Sequence, residues 1–386
     1  MVKRSLTEKV RKLAEKFPVI SISGPRQSGK TTLARACFPE YDYVNLELPD
    51  IRSMAYEDPR EFLNTYRKGL ILDEVQNVPE IFSYLQVFAD ESKQPGKYIL
   101  TGSQNFLLLE KISQSLAGRA AILTLLPFSL EEITETGFKS HSHADYLFKG
   151  SYPAVFDKEI EPTDFYPSYI QSYLERDVRS IINIGNVLNF RKFLGIIAGR
   201  TGQIINYTSI ANDTGVDQKT IQRWLSVLEA SYIVFLLRPF HKNFSKRLIK
   251  SPKLYFYDTG LACSLLGIKK ADDTGFHFLK GALFENLVIS EIAKHYFHRG
   301  IRPDLYFWRD NTGNEVDCLI EEGLRTKAIE IKAGTTIGED FFNGLKYYQK
   351  ISGIPVNELF LVYGGVQSQK RSQAKVVSWI QLDDLY

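Results

Sequence analysis

Short apolar runs and amphipathic stretches alternate through the first third of the chain. Phe17-Pro18-Val19-Ile20-Ser21-Ile22-Ser23 has strand character, and Thr32 to Phe38 reads as the opening of a helix. Tyr41 to Leu46 reads as a second strand, and Ile51 to Tyr66 as a helix interrupted near Pro59. Gly69-Leu70-Ile71-Leu72-Asp73-Glu74 is a short apolar strand that ends in two acids, followed by a helix from Pro79 to Asp90. Tyr98 to Gly102 and Ala120 to Leu126 add two further strands. Such alternation predicts an α/β fold with parallel strands and crossover helices. Ahead of it, Val10, Leu13, Ala14 and Phe17 recur at helical spacing among charges, the pattern of an amphipathic helix. A polar break at Thr136 to His143 leads into a mostly helical stretch through about Gly199, and the pattern changes at Asn206 and near Gly281. The shifts divide the chain into an α/β core over 1–135, a helical lid or linker over 136–200, and two further segments over 201–270 and 271–386.

Composition changes this picture little. A length of 386 residues is long for one core and predicts two or three domains. Hydrophobic content of 44% and charged content of 24% describe an ordinary globular protein, and a net charge of +3 points to no partner. Cys37, Cys263 and Cys318 are odd in number and lack metal-ligand spacing, so neither a disulfide framework nor a zinc site is expected. Lys3 and Arg4 precede charged helical sequence rather than a secretory apolar core, and no run approaches bilayer length. The expectation is a cytoplasmic protein with no membrane partner.

The chemistry begins at residues 24–31. Gly24-Pro25-Arg26-Gln27-Ser28-Gly29-Lys30-Thr31 fits the phosphate-binding pattern G-x-x-x-x-G-K-[ST], between a strand and a helix continuing through Thr32. Backbone N–H groups of such a loop point inward and hold phosphate oxygens. Gly24 and Gly29 let the backbone curl where a Cβ would obstruct it. Lys30 is expected to reach the β- and γ-phosphates of ATP, and the Thr31 hydroxyl to ligate Mg²⁺. The strand ending in Asp73 and Glu74 delivers carboxylates to the sheet edge where ligands of open α/β sheets bind. Asp73 would hold the Mg²⁺ shell, and Glu74 would polarise the attacking water.

Two further residues are candidates for catalysis. Thr101-Gly102-Ser103-Gln104-Asn105 places a polar side chain beside the γ-phosphate, Ser103 in preference to Gln104, unless the segment is an ordinary polar turn. Arg119 precedes the fifth strand and either stabilises transition-state charge, in its own subunit or a neighbour of a homo-oligomer, or pairs with a surface acid. These residues resemble the AAA-type P-loop ATPases. Asp73-Glu74-Val75-Gln76, Leu126-Pro127-Phe128-Ser129, Lys149-Gly150-Ser151-Tyr152-Pro153 and Tyr255-Phe256-Tyr257-Asp258-Thr259-Gly260-Leu261 are similar to segments of a large prokaryotic family. That family joins an AAA-type domain to a C-terminal region of unknown function, and the resemblance implies ATP binding and hydrolysis along essentially the whole chain.

In the middle segment, Tyr207 to Asp213 reads as a short helix, Thr214-Gly215-Val216 as a turn, and Asp217 as the cap of a second helix. Ile221, Leu225 and Leu228 share one face, leaving Gln218, Lys219, Gln222 and Arg223 outward, the arrangement of a DNA recognition helix. Two strands follow, joined by a stretch with six basic residues and no acid: Arg238, Lys242, Lys246, Arg247, Lys250 and Lys253. A winged helix with a basic, phosphate-contacting tip fits this pattern. Packing of the same module against another domain is the alternative.

The last segment has Glu285 on a helix, Asp317 on a strand, and Glu330 and Lys332 sharing one face of the next strand across Glu321-Glu322-Gly323. The spacing is similar to the PD-(D/E)xK nucleases, in which paired carboxylates hold Mg²⁺ and the lysine orients the nucleophile or phosphate. Val316 stands where that pattern often has proline. A restriction-endonuclease-like fold is expected, with cleavage or a docking role both open. The sequence therefore describes an AAA-type ATPase coupling nucleotide state to a DNA-binding winged helix and a nuclease-like domain. The rivals are an ATP-regulated nuclease and a nucleotide-gated protein scaffold.

Overall fold

Alternation along the first strands sends side chains to two opposite cores. Val19, Leu70, Leu72, Tyr98 and Leu100 pack into one, while Ile20, Ile22, Ile71 and Ile99 pack into the other. Strands buried on both faces need helices on both sides, which parallel connections supply. The computed structural model describes residues 2–92, 94–102, 115–140, 142–178, 187–240 and 251–386. By internal contacts the chain forms two units. The first comprises Met1–Phe128 with Ala230–Tyr232 and Tyr296–Ile301; the second comprises Ser129–Glu229, Ile233–His295 and Arg302–Tyr386.

In the first unit, helix α1 (Thr7–Ala14) precedes β1 (Val19–Ser23), α2 (Lys30–Cys37), β2 (Asp42–Asn45), α3 (Pro49–Glu57), α4 (Pro59–Thr65), β3 (Leu70–Asp73), α5 (Ile81–Ser92), β4 (Tyr98–Gly102) and β5 (Ala120–Thr124). The sheet order is β2-β3-β4-β1-β5, with every pairing parallel. The break between α3 and α4 falls at Pro59, whose preceding Asp58 accepts the Glu61 N–H and caps the second helix. β1 and β3 both end on the same edge, so the loop at 24–29 and the acids at 73 and 74 face the same side.

The second unit holds an eight-stranded mixed sheet in the order β12-β13-β11-β10-β9-β8-β6-β7. Its strands are β6 (Val234–Pro239), β7 (Lys253–Phe256), β8 (Leu305–Arg309), β9 (Glu315–Glu322), β10 (Arg325–Lys332), β11 (Leu359–Tyr363), β12 (Gln369–Lys370) and β13 (Lys375–Ser378). β9 and β10 form the expected antiparallel hairpin. β6 and β7 of segment 201–270 pair antiparallel, the hairpin expected after the two helices, and this hairpin does not stand alone. β6 pairs with β8 through Arg238 and Tyr306, and Phe240 donates its N–H to the Phe307 carbonyl at 2.7 Å. An edge strand exposes unpaired backbone groups, and β8 satisfies those of β6. The expected basic tip, with Lys242, Lys246, Arg247 and Lys250, lies outside the described residues.

Candidate functional site

The loop at 24–29 is shaped by backbone that only a few residues tolerate. Gly24 and Gly29 have φ of 149° and 92°. A Cβ on Gly24 would lie 2.1 Å from the Leu125 carbonyl oxygen, so the close approach to the end of β5 requires glycine. Gln27 also adopts a positive φ, 62°, a strained conformation of the kind stored at functional loops. Arg4 braces the loop: its guanidinium donates to the Ser28 carbonyl at 2.8 Å and the Leu126 carbonyl at 2.6 Å, over the Phe128 ring. Nothing local in sequence pairs Arg4 with residue 28. Pro25 and Ser28 are buried, Gln27 and Thr32 are exposed, and the Arg26 guanidinium lies 3.4 Å from Glu47.

Lys30 opens α2 with its side chain folded back into the loop. Its ammonium donates to the carbonyls of Pro25 at 2.8 Å and Gly24 at 3.1 Å. Burial lowers its pKa to about 8, against an opposing pull from Glu74 and Asp73. No carboxylate among the described residues lies within ion-pair distance of it. Thr31 Oγ1 donates to Asp73 Oδ2 at 2.9 Å, joining the two expected metal ligands. Tyr43 donates to the same oxygen at 2.8 Å, and Thr101 to the other. A hydroxyl and a carboxylate side by side, with the remaining positions left to water and phosphate oxygens, fit Mg²⁺, which keeps several waters and needs few protein ligands. Tyr43 and Thr101 were not singled out from sequence, although both stand on strands flanking β3.

Glu74 follows with φ of 52°, and Gln76 Nε2 donates to Glu74 Oε2 at 2.5 Å. The left-handed turn takes Glu74 out of the strand direction immediately after Asp73, so the two acids point to different places. Ser103 and Gln104 lie outside the described residues; β4, which leads to them, runs beside β3 as expected. Arg119 is elsewhere. It stands just before β5, beside Val19, at the opposite edge from the loop. The five residues of β1 separate the two edges by about 16 Å. Its guanidinium pairs with Asp90 at 2.6 Å and 2.8 Å. A role at the γ-phosphate of its own subunit is ruled out by that separation.

The expected C-terminal residues do come together, with additions. Past the paired residues Ile329 and Cys318, Asp317 Oδ2 accepts the Ile331 N–H at 2.8 Å. Lys332 Nζ lies 2.6 Å from Glu330 and 4.0 Å from Asp317. Glu285 accepts from Lys253 at 2.9 Å and from the Tyr255 hydroxyl at 2.5 Å. Lys253 also contacts Glu315, which Arg309 holds at 3.0 Å. Burial and the Asp317 charge push Glu330 well above the usual carboxylate range; burial does the same to Glu285 against the pull of Lys253. Lys253, expected on a solvated basic connection, is 3% exposed. The acids of distant elements draw it inward, away from the basic connection it closes in sequence. Among the described residues, no three His, Cys, Asp or Glu side chains converge to hold a metal ion. Asp317 and Glu330, the expected carboxylate pair, both lie within reach of the Lys332 ammonium.

Two motifs of the middle region also meet. Ser151 donates its N–H and hydroxyl to Asp258 Oδ2 at 2.6 Å and 2.8 Å, while Asp258 Oδ1 accepts the Leu261 N–H and caps helix Thr259–Leu265. A Cβ on Gly150 or Gly260 would fall 1.9 Å or 2.4 Å from the Tyr166 hydroxyl. The pairing is structural, as expected for a helix cap. On helix Gln218–Ala230, Ile221, Leu225 and Leu228 are buried, and Gln218, Lys219, Gln222 and Arg223 are exposed.

Comparison with known proteins follows this division. Residues 16–134 match an AAA domain, residues 140–272 a domain of unknown function (DUF8612), and residues 280–382 another (DUF4143). An uncharacterised protein of Mycobacterium tuberculosis is 29% identical over 341 residues, covering 86% of this chain and 74% of the relative. A Mycobacterium bovis protein gives the same figures. Among solved structures, a Walker-type ATPase of Pyrococcus abyssi aligns with 68% of this chain and 95% of its own, at 15% identity and a TM-score of 0.41. AMPPCP-bound DnaA from Aquifex aeolicus aligns with 58% of this chain and 85% of its own, at 18% identity and a TM-score of 0.30. Among the described residues no helix is long and apolar enough to cross a membrane.

Proposed function

We propose that this chain, whose N-terminal region is an AAA-type P-loop domain and whose C-terminal region is a DUF4143 domain, binds Mg²⁺-ATP and hydrolyses it. The observation that carries the reading is Lys30: a buried ammonium that, among the described residues, is held by carbonyls alone at the mouth of a glycine-shaped loop. A triphosphate gives that ammonium an anionic partner and gives the loop N–H groups of residues 24–31 their acceptors. Thr31 and Asp73 would hold the cation, which would supply positive charge to offset that of the phosphates. Tyr43 and Thr101 keep the Asp73 carboxylate oriented for that task. Glu74, turned away from the strand, orients water and accepts its proton. The test is phosphate release from ATP by the full chain, with nucleotide binding followed by calorimetry. Lys30→Ala removes binding. Glu74→Gln keeps ATP bound but slows turnover by about 10²-fold or more; full turnover by that variant overturns the role of Glu74.

A finer reading couples nucleotide state to DNA contact through helix Gln218–Ala230. The exposed Gln218, Lys219, Gln222 and Arg223 support it. Duplex DNA affinity should then fall steeply with salt; a salt-independent isotherm, or none at low salt, favours a protein partner. The C-terminal domain enters this reading as a docking module rather than a metal-dependent nuclease.

A further inference from the structure

Four carboxylates crowd one end of the second unit's sheet: Glu285 from helix Lys280–Phe297, Glu315 and Asp317 from β9, and Glu330 from β10. Buried carboxylates at this density need positive charge close by. We infer that this acid cluster, arranged as in a nuclease-type centre, is balanced from within by Lys253 and its neighbouring cations rather than by a divalent cation.

Lys253 comes from β7, three strands from β9 in sheet order, and touches acids from two separate elements. It binds Glu285 at 2.9 Å and contacts Glu315. One oxygen of each of three acids is already engaged. Asp317 Oδ2 takes a main-chain N–H, Glu330 Oε1 takes Lys332, and the Glu285 oxygen is shared between Lys253 and Tyr255. Glu330 Oε2 is buried and makes no hydrogen bond among the described residues. With Arg309 on Glu315, three cations face four acids. Adding a dication would leave the cluster positive inside a buried site, the less favourable state. The lysine thus fixes β7 to helix Lys280–Phe297 and β9 without any ion. It reads as a positioning residue that retains the fold of such a centre while removing its metal chemistry.

Mn²⁺ is the probe, titrated by calorimetry and electron paramagnetic resonance into the full chain without nucleotide. Wild type and Asp317→Asn should bind it alike, since any weak binding at Asp73 is common to both. Lys253→Met uncovers the acids and gains a Mn²⁺ site, which Lys253→Met combined with Asp317→Asn loses again. Mn²⁺ should also raise the melting temperature of Lys253→Met and leave that of wild type unchanged. A wild-type Mn²⁺ site that disappears on Asp317→Asn or Glu330→Gln overturns the inference. So does a folded Lys253→Met protein with no gain in metal binding. Should Lys253→Met fail to fold, the comparison of wild type with Asp317→Asn decides the matter alone.

Discussion

Two buried lysines, Lys30 and Lys253, sit in surroundings of similar composition and opposite balance. Each is almost inaccessible and each has acidic residues in its neighbourhood. Among the described residues Lys30 touches carbonyl oxygens only, and burial wins, lowering its pKa to about 8. Lys253 touches two carboxylates, and their charges, with that of Asp317, overcome burial and hold its proton far more tightly than usual. The first is a cation short of an anion, which is the condition of a binding site. The second already has its anions, which is the condition of a structural tie.

The sharpest way to break this contrast is through stability. Lys253→Met leaves Glu285 and Glu315 without their buried partner and should cost about 3 kcal/mol of folding free energy. Lys30→Met removes a desolvated charge and two bonds to carbonyls, and should change stability by about 1 kcal/mol or less. Urea unfolding of the two variants measures the difference; equal losses would erase the distinction.

The smaller test is pH. The unfolded chain keeps a lysine proton to 10.5, while folded Lys30 releases its proton near 8. Between those values the unfolded state binds more protons, so this group makes stability rise with pH across the window and has no slope below it. Lys253, shifted the other way, keeps its proton through the window, and its contribution stays whole there. ATP affinity should fall above pH 8 by up to about tenfold per pH unit. Lys30→Arg should remove the break, and Lys253→Met should leave it in place.

Most of the nucleotide site was legible because its parts are contiguous. Eight consecutive residues specify the loop, and an apolar strand ending in Asp73-Glu74 announces its edge. Its supports were not legible: Arg4, Tyr43 and Thr101 reach it only through tertiary contact. Arg119 is instructive, since a residue preceding a parallel strand belongs to the edge away from the loop, and that signal was present in the predicted topology. Lys253 was misjudged by its neighbours in sequence, which are basic, when its partners Glu285 and Glu315 lie far along the chain. The place of the hairpin in a larger sheet was hidden for the same reason: β6 also pairs with β8, more than sixty residues later.

The smallest expected effect concerns Arg119. Arg119→Ala removes an exposed pair with Asp90 and should leave phosphate release per chain unchanged in dilute solution. A defect that grows with protein concentration would instead place the arginine against a neighbouring subunit.

The phenol of Tyr232 hydrogen-bonds Ser23 at 3.0 Å and Thr124 at 3.1 Å, tying the ends of β1 and β5 just ahead of the glycine-rich turn. Its short stretch belongs to the first unit although more than a hundred intervening residues belong to the second. Cutting the gene after Phe128 would therefore yield an incomplete engine, missing a strut encoded far downstream. Recombination that swaps the distal half for a foreign one must bring its own equivalent of that tyrosine, or the transplanted front half loses the bridge between Ser23 and Thr124.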